Sequence, residues 1–310
     1  MRPTIRAVTA IALAAAAVLV TTQGSSAAPS AAKTLVFTLE PSTHGNPEGI
    51  AVDPRSGDFF VGTVGDGTIY RGSLGDPTVR PFIAGIPGDT VAVGMKVSRG
   101  LLYVAEATQK VNVYDVRSGA LRASIAVPGS GFLNDLVVTE DGDVWVTDSF
   151  VPTLWHVTAA QVRAGTGTAT GVSVAPQITF TAGAFNLNGI VALDEDLLIV
   201  VQSNTGDLWR VALGEHGRRS ITQVKAPSLP GGDGLLLDRG KLVVVQGGLQ
   251  QLSLLSLAND GRRATLAQVR TDPALVGPST VARAGNRYLV VNADFAGGAT
   301  PFTVAGLPRH

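Results

Sequence analysis

The strongest constraint on the fold is a unit of four short β-strands that recurs along the chain, mostly at a spacing in the forties. Runs of β-branched and other apolar residues alternate with turns rich in Gly, Asp, Asn and Pro, a pattern typical of short strands. The first strands of the units are predicted to begin at Gly49, Gly94, Asp135, Gly189, Gly234 and Thr280. A repeat of this length with four strands per unit indicates a β-propeller. The sequence therefore predicts an all-β, six-bladed β-propeller.

The two ends of the chain fit this prediction. The sixth unit lacks a fourth strand, whereas residues 34–39 (TLVFTL) form an extra strand near the N-terminus. Pairing of this strand into the last blade would close the ring and remove an exposed edge. A β-sandwich, or two smaller β domains, would not account for the regular spacing and the extra strand.

The third unit is the longest. Its segment around residues 159–170 is rich in Gly, Ala and Thr and predicts a surface loop or a short helix. Such an insertion either covers the mouth of a site or is simply tolerated at the surface. The fourth strand of this unit is predicted at residues 173–180.

The first 32 residues have the organisation of a secretory signal peptide. Arg2 and Arg6 precede an apolar, Ala-rich segment, and small residues follow it. The apolar segment is short for a membrane span, although a membrane anchor is the alternative. Cleavage is expected after Ala27 or Ala32. The predicted organisation is a signal peptide over residues 1–32 and a single propeller domain over residues 33–310, secreted and free of the membrane after cleavage.

The composition excludes several classes of function. The chain has no Cys, so no disulfide supports the fold. Lys and Arg number 24, as do Asp and Glu, and no basic cluster indicates a nucleic-acid partner. A nucleophile motif of the Gly-x-Ser-x-Gly type, a phosphate-binding loop and a zinc motif are also absent from the sequence. We expect a monomer that binds a small-molecule substrate.

One position of the repeat carries oxygen-bearing side chains. First strands line the central channel of a propeller. The six residues that immediately precede the predicted first strands are therefore expected to form a ring around one mouth of this channel. These residues are Glu48, Val93, Asn134, Asn188, Asp233 and Ser279. Two carboxylates and two carboxamides among them form a ligand set for a hard divalent cation: Ca²⁺, or alternatively Mg²⁺ or Mn²⁺, rather than Zn²⁺ or Cu²⁺. Each of these residues alone is an ordinary turn residue. The prediction rests on their occurrence at the same position of four different repeats.

These segments resemble a known family. Pro47-Glu48-Gly49, residues 134–138 (NDLVV), Asn188-Gly189-Ile190 and Asp233-Gly234-Leu235 occur in the order found in the six-bladed propellers of the senescence marker protein, gluconolactonase and luciferin-regenerating enzyme family. The resemblance implies that Glu48, Asn188 and Asp233 bind the metal, that Asn134 contacts the metal or the substrate, and that Asp233 is the candidate general base.

Two further segments refine the resemblance. Residues 94–97 (GMKV) and 279–282 (STVA) are similar to segments of secreted actinobacterial propellers. Sugar-lactone hydrolases of the animal type carry an Arg two residues before the Asn that matches Asn134, whereas this chain has Phe132. The departure removes a sugar-binding group and is compatible with a more apolar substrate.

The predicted function is a divalent-metal-dependent hydrolase of lactones or related esters. The cation would polarise the carbonyl, and Asp233 would take a proton from the attacking water. The alternative is a non-catalytic secreted binding module in which the cation is structural. His44, four residues before Glu48, is interpreted as a loop histidine, with a proton-shuttle role as its alternative, and Lys96 is assigned no role.

Overall fold

The computed structural model describes residues 33–214, 219–298 and 300–309. The predicted signal peptide at residues 1–32 lies outside the described residues. Within the described ranges the chain is built almost entirely of β-strands that follow one repeated order. No helix in these ranges has both the length and the hydropathy that crossing a membrane requires.

The strands occupy four positions in the repeat, counted from the first strand outward. Every repeat supplies the first three, and the first five repeats also supply a fourth. The first strands are β2 (Pro47–Val52), β6 (Ala92–Ser98), β10 (Leu133–Val138), β15 (Leu187–Asp194), β19 (Gly232–Asp238) and β23 (Pro278–Ala284). The second strands are β3 (Phe59–Thr63), β7 (Leu101–Glu106), β11 (Val144–Asp148), β16 (Leu197–Gln202), β20 (Lys241–Gln246) and β24 (Arg287–Asn292).

The outer two positions complete the sheets. The third strands are β4 (Ile69–Ser73), β8 (Lys110–Asp115), β12 (Thr153–Val157), β17 (Asp207–Leu213), β21 (Gln251–Leu257) and β25 (Thr303–Pro308). The fourth strands are β5 (Asp76–Ile83), β9 (Leu121–Ala126), β14 (Thr170–Ser173), β18 (Arg219–Gln223) and β22 (Ala264–Thr271). The remaining elements are β1 (Leu35–Leu39), α1 (Ala159–Ala164), β13 (Thr166–Thr168) and a 3-10 turn at Gly247–Leu249.

The first strands form the centre of the molecule. Each contacts the first strand of the next repeat, in the order β2, β6, β10, β15, β19 and β23, and β23 returns to contact β2. Successive strands of each repeat pair antiparallel from the centre outward, as in the sheet orders β15-β16-β17-β18 and β19-β20-β21-β22. This radial arrangement confirms the predicted all-β propeller.

The N-terminal strand closes the ring as predicted. β1 pairs antiparallel with β25, with Phe37 opposite Val304, and also forms a short parallel ladder with β5. One eight-stranded sheet therefore runs through the first and last repeats, in the order β2-β3-β4-β5-β1-β25-β24-β23. Phe37 and Leu39 are buried in the core between these repeats, so the closure rests on apolar packing as well as on backbone pairing.

The core lies between neighbouring sheets. Each hydrophobic cluster of the described chain draws its side chains mainly from two successive repeats: Phe60 and Ile69 of the first repeat pack with Met95 and Leu102 of the second. Both faces of each sheet are covered in this way. The second strands can therefore be buried at every position, as in Leu197–Gln202, where five apolar residues and the terminal Gln202 are all buried.

The third repeat differs from the prediction in one strand. Its fourth strand is Thr170–Ser173 rather than residues 173–180, because Val174 and Ile178 are buried from a loop, against Leu187 and Leu198 of the next repeat. An apolar run can be buried without extended pairing, and Pro176 cannot donate a ladder hydrogen bond.

The same repeat contains the predicted short helix. α1 is capped at its start by Thr158, whose side chain and that of Gln161 form a capping box. The amide of Ala159 also donates to Asp143, which lies in the turn after the far end of β10. The insertion therefore lies at the end of the repeat opposite the candidate ligands and does not cover their mouth of the channel.

Candidate metal centre

The candidate ligands occupy a β-bulge that recurs in every first strand. The pairing between first and second strands slips over the same two residues in each repeat: between Pro47 and Ile50, Ala92 and Met95, Leu133 and Leu136, Leu187 and Ile190, Gly232 and Leu235, and Pro278 and Val281. A bulge bends its strand and re-aims a side chain. The first residue of the bulge is in each case the predicted site position, which makes the six positions equivalent.

The strand boundaries correct one detail of the prediction. Glu48, Asn134, Asn188 and Asp233 are each the second residue of a first strand, and none of them precedes it. The hydrogen-bonded pair before the bulge is formed by the preceding residue, as between Pro47 and Thr63. The site residues therefore lie in the ladder itself, where backbone pairing on both sides limits their movement.

Glycines beside the ligands let the first strands touch. A Cβ added at Gly49 would lie 1.9 Å from the carbonyl oxygen of Val93, and one at Gly189 would lie 2.4 Å from that of Asp233. Both distances are well inside van der Waals contact, so only glycine permits this approach of one backbone to the next. These close contacts lie next to the candidate ligands in the sequence. They bring the first strands that carry the ligands close together around a narrow centre.

Two of the four candidates carry carboxyl oxygens that lack a hydrogen-bond partner. Glu48 Oε2 and Asp233 Oδ1 are buried, and neither is hydrogen-bonded within the described part of the chain. A buried, unpartnered carboxylate oxygen is costly. Two such atoms at equivalent positions in different repeats need a cation or protons, and they constitute the main observation in favour of a metal centre here.

The electrostatics agree with this geometry. Burial raises the pKa of Glu48 well above its ordinary value, and the charges of Asp233 and Asp135 raise it further. Burial likewise raises the pKa of Asp233 to about 7; a hydrogen bond from Asn188 opposes this rise, and the charge of Asp135 adds to it. The structure thus brings Glu48, Asn188 and Asp233 together electrostatically. Without a cation, the centre carries more negative charge than its surroundings compensate.

Asn134 is held by a different set of contacts. Its amide nitrogen Nδ2 donates to Ser149 Oγ at 3.0 Å, and Ser149 Oγ donates in turn to the carbonyl oxygen of Leu187 at 2.7 Å. These bonds fix the nitrogen side of the amide and leave its carbonyl oxygen as the atom available to a ligand. Asn134 and the strand that carries Asn188 are therefore linked through one serine.

Asp135 and Lys96 belong to the centre but were not predicted as a pair. Lys96 Nζ lies 2.9 Å from Asp135 Oδ1, and Asp135 Oδ2 accepts from the amide of Ile190 at 3.3 Å. Asp135 stands where four of the other first strands have glycine. It is the one charged residue at this position, since the sixth repeat has Thr280, and that was the sequence feature that could have revealed it. Lys96 offsets the charge of one of the three carboxylates Glu48, Asp135 and Asp233. When all three are ionised, about two negative charges remain, which matches a divalent cation.

A second set of polar residues supports the segments that lead into the bulges. Each second strand ends on a buried polar side chain, in the order Thr63, Glu106, Asp148, Gln202, Gln246 and Asn292. Five of these bond to the backbone of the segment that precedes their own first strand, as Glu106 does with the amide of Val91; the sixth, Thr63, bonds instead to Thr68. The sequence analysis did not identify this role, although a polar residue ends every second strand.

The residues present fit a hard cation by their donor chemistry. Among the described residues, no group of three or more His, Asp or Glu side chains is arranged as a ready-made metal site. The candidate set does not require one, because two of its members are carboxamides. Its neutral and anionic oxygens are the donors that Ca²⁺ or Mg²⁺ accepts.

His44 is placed outside this set. Its Nδ1 lies 2.7 Å from Asp66 Oδ2 and 3.1 Å from Thr68 Oγ1, and its ring packs edge-on against Tyr70. These contacts support the interpretation as a loop histidine.

Two surface clefts do not include any of the four candidates. One is lined by residues of the first repeat including Arg71, and the other by residues including Phe302.

Comparison with known proteins places the fold. No family model matches the chain, and no curated protein matches it. Among solved structures, a luciferin-regenerating enzyme superposes with a TM-score of 0.63 at 14% identity, over 88% of this chain and 95% of that one. A protein described as a putative gluconolactonase gives 0.63 at 17% identity, over 89% and 94%.

A third neighbour carries a metal in its description. Regucalcin from Agrobacterium tumefaciens, described as a calcium-binding protein, gives a TM-score of 0.60 at 17% identity, over 84% of this chain and 89% of that one. At such identities the likeness concerns the fold and leaves the site to be argued from its own residues. The structural neighbours of this chain thus include the lactonase-like propellers that its sequence resembles.

Proposed function

We propose that this protein is a divalent-metal-dependent hydrolase of lactones or related esters. The observation that carries the proposal is the pair of buried, unpartnered carboxyl oxygens, Glu48 Oε2 and Asp233 Oδ1, at equivalent bulges beside two carboxamides. The calcium-binding and gluconolactonase descriptions of the structural neighbours support it. Glu48, Asn134, Asn188 and Asp233 would hold the cation, which we take to be Ca²⁺ or another hard divalent ion.

The residues divide the chemistry between them. When bound, the cation supplies polarisation of the scissile carbonyl and charge stabilisation in the transition state. Asp233 takes a proton from the attacking water. Asn134, with its nitrogen fixed by Ser149, would hold the cation through its amide oxygen. A strained or activated ester suits this arrangement better than an amide, because a carboxylate near a cation is a weak base.

The test combines hydrolysis with metal binding. Purified protein is offered γ-butyrolactone, δ-valerolactone and phenyl acetate with added Ca²⁺ or with chelator, and Ca²⁺ binding is measured separately by calorimetry. We expect turnover that chelator abolishes. Asp233→Asn should lower kcat by a factor of about 10² to 10⁴, the usual contribution of a positioned base.

A matched substitution controls for the loss of an acid. Asp260 lies in an exposed turn, where it pairs with Arg262, so Asp260→Asn should leave both turnover and Ca²⁺ binding unchanged. An Asp233→Asn protein that remains folded and keeps the turnover and Ca²⁺ affinity of the parent would refute the assigned roles.

The second candidate is a non-catalytic binding module with a structural cation. The burial of Glu48, Asn134 and Asn188 favours it, because a cation enclosed by protein oxygens has no open position for substrate. On this alternative, Ca²⁺ raises the melting temperature and no lactone or ester is turned over.

We also propose that the protein is exported; sequencing the N-terminus of secreted protein should find a start just after Ala27 or Ala32.

A further inference from the structure

Three phenylalanines form a cluster beside the candidate centre. The ring centroids of Phe132 and Phe185 are 5.4 Å apart, those of Phe150 and Phe185 are 5.1 Å apart, and those of Phe132 and Phe150 are 5.7 Å apart. Phe150 is 42% exposed and Phe185 is 49% exposed. Large aromatic side chains that contact one another yet remain this accessible form an apolar surface open to a ligand.

The cluster is held by a dedicated framework. The carboxylate of Asp148 is fully buried and accepts from the amides of Phe132 and Phe150, at 3.1 and 3.0 Å. It also accepts from the amides of Gly131 and Val151 and from Trp155 Nε1. One carboxylate thus ties together the two segments that carry Phe132 and Phe150. A buried anion with this many donors fixes backbone geometry firmly.

The third ring is fixed to the same framework. Asn186, which follows Phe185, is buried and donates through Nδ2 to the carbonyl oxygens of Ser149 and Ala184, at 3.0 and 2.8 Å. The backbone amide of Asn186 also donates to the carbonyl oxygen of Ser149, at 3.1 Å. The positions of all three rings are therefore set by buried hydrogen bonds, whereas the rings themselves remain accessible.

The framework connects the rings directly to the candidate ligands. Phe132 is two residues before Asn134, and Phe185 is three residues before Asn188. Ser149, the neighbour of Phe150, accepts from Asn134 Nδ2. The rings therefore belong to the two repeats that carry the amide ligands Asn134 and Asn188, and none of them comes from the repeats that carry Glu48 and Asp233.

We propose that Phe132, Phe150 and Phe185 form an apolar subsite that contacts the hydrocarbon substituent of the substrate. This inference rests on the proposed function and narrows its substrate class to lactones or esters that carry an alkyl or aryl group, as opposed to polyhydroxylated sugar lactones. In the reaction, water adds across the acyl carbon–oxygen bond: the carbon gains the hydroxyl, the ring oxygen leaves with the proton, and a hydroxy acid results. The substituent is not altered and serves only for binding.

The test is a chain-length series. Wild-type protein and the double variant Phe150→Ala/Phe185→Ala are assayed with γ-butyrolactone and with γ-lactones bearing ethyl, butyl and hexyl groups. For the wild type, kcat/KM should rise about fourfold for each methylene that reaches the rings, the factor that corresponds to burying one CH₂. In the double variant this rise should largely disappear.

Phe295 provides a matched control. It is 60% exposed and outside the cluster, so Phe295→Ala should preserve the chain-length dependence. Melting temperature and circular dichroism establish that each variant is folded. A double variant that keeps the wild-type dependence on chain length would overturn the subsite, even while hydrolysis itself stands.

The subsite can also be judged if no lactone is hydrolysed. Binding of γ-decalactone is then measured by calorimetry: binding to the wild type but not to the double variant supports the subsite and rejects the hydrolase, and equal binding rejects the subsite. Vesicles of neutral phospholipid give a third outcome. If the wild type binds them, the double variant does not, and chain length has no effect, the rings are a membrane-contact surface and the proposal fails.

Discussion

Replacing the candidate base should stabilise the protein when no cation is present. Asp233 carries a buried carboxyl oxygen without a partner, and its pKa is raised to about 7. Above that pH the folded state must hold a charge that the unfolded state holds in water. Asp233→Asn removes the charge and keeps the shape of the side chain. We therefore expect the cation-free variant to be more stable than the wild type at pH 8.

The magnitude follows from the two pKa values. For an aspartate whose pKa moves from 3.8 to about 7 on folding, ionisation at pH 8 costs up to about 4 kcal/mol, since each pKa unit corresponds to about 1.4 kcal/mol. Asp233 is only partly buried overall, and the new amide must itself find partners, so we expect a net gain of about 2 kcal/mol. In a chain of this size, that gain raises the melting temperature by roughly 5 °C.

The pH dependence has a definite sign. Between about pH 4 and pH 7 the folded wild type binds more protons at Asp233 than the unfolded chain does, because the pKa of Asp233 is raised to about 7 on folding. The contribution of Asp233 to the free energy of unfolding therefore falls as pH rises through this window and levels off above it, and the raised pKa of Glu48 acts in the same direction. The advantage of Asp233→Asn should accordingly be large at pH 8 and small at about pH 5, where wild-type Asp233 is largely protonated.

The assay is urea denaturation in chelator at both pH values. Asp148→Asn is a matched control, because the carboxylate of Asp148 accepts five N–H donors. An amide there must turn its own NH₂ toward some of those donors. The same substitution should thus destabilise by about 2 kcal/mol or more at Asp148. A cation-free Asp233→Asn protein that is less stable than the wild type at pH 8 would refute the argument.

Three further predictions follow from other contacts. Ca²⁺ affinity measured by calorimetry should increase from pH 5 to pH 8, because the cation must displace protons from Glu48 and Asp233; an affinity independent of pH would place the cation elsewhere. Gly49→Ala, whose Cβ would lie 1.9 Å from Val93 O, should destabilise by at least about 3 kcal/mol in urea denaturation, whereas Gly75→Ala, with nothing within 4 Å, should not; equal stabilities would contradict the close strand contact. Phe37→Ala should cost about 3–5 kcal/mol and exposed Val36→Ala little; a similar small loss for both in the same assay would mean that β1 does not close the ring through its core.

Much of the fold could be predicted because its determinants are local. β-branched runs and turn residues repeat at each unit, so the first strands and their equivalent positions could be aligned without knowledge of their contacts. The fourth strand of the third repeat was misplaced because buried Val174 and Ile178 produce the same apolar run in a packed loop as in a strand.

The candidate centre was predictable only in part. Residue type and phase identified Glu48, Asn134, Asn188 and Asp233, since each repeats at the same point of a unit. The Lys96–Asp135 ion pair depends on how the first strands of two successive repeats are aligned, and no single segment of the sequence contains that information. The phenylalanine cluster was missed because it joins residues of two repeats, although Phe132 is a departure from the propellers that the sequence resembles.

The recurring bulge separates the chemistry of this molecule from its architecture. One side chain per repeat is delivered to the axis, while the ladder hydrogen bonds before and after it stay the same whichever residue occupies that place. Val93 and Ser279 occupy the two positions that carry no strong ligand. Substitutions at these six positions, alone or in combination, can therefore change the chemistry of the centre while the propeller fold stays the same.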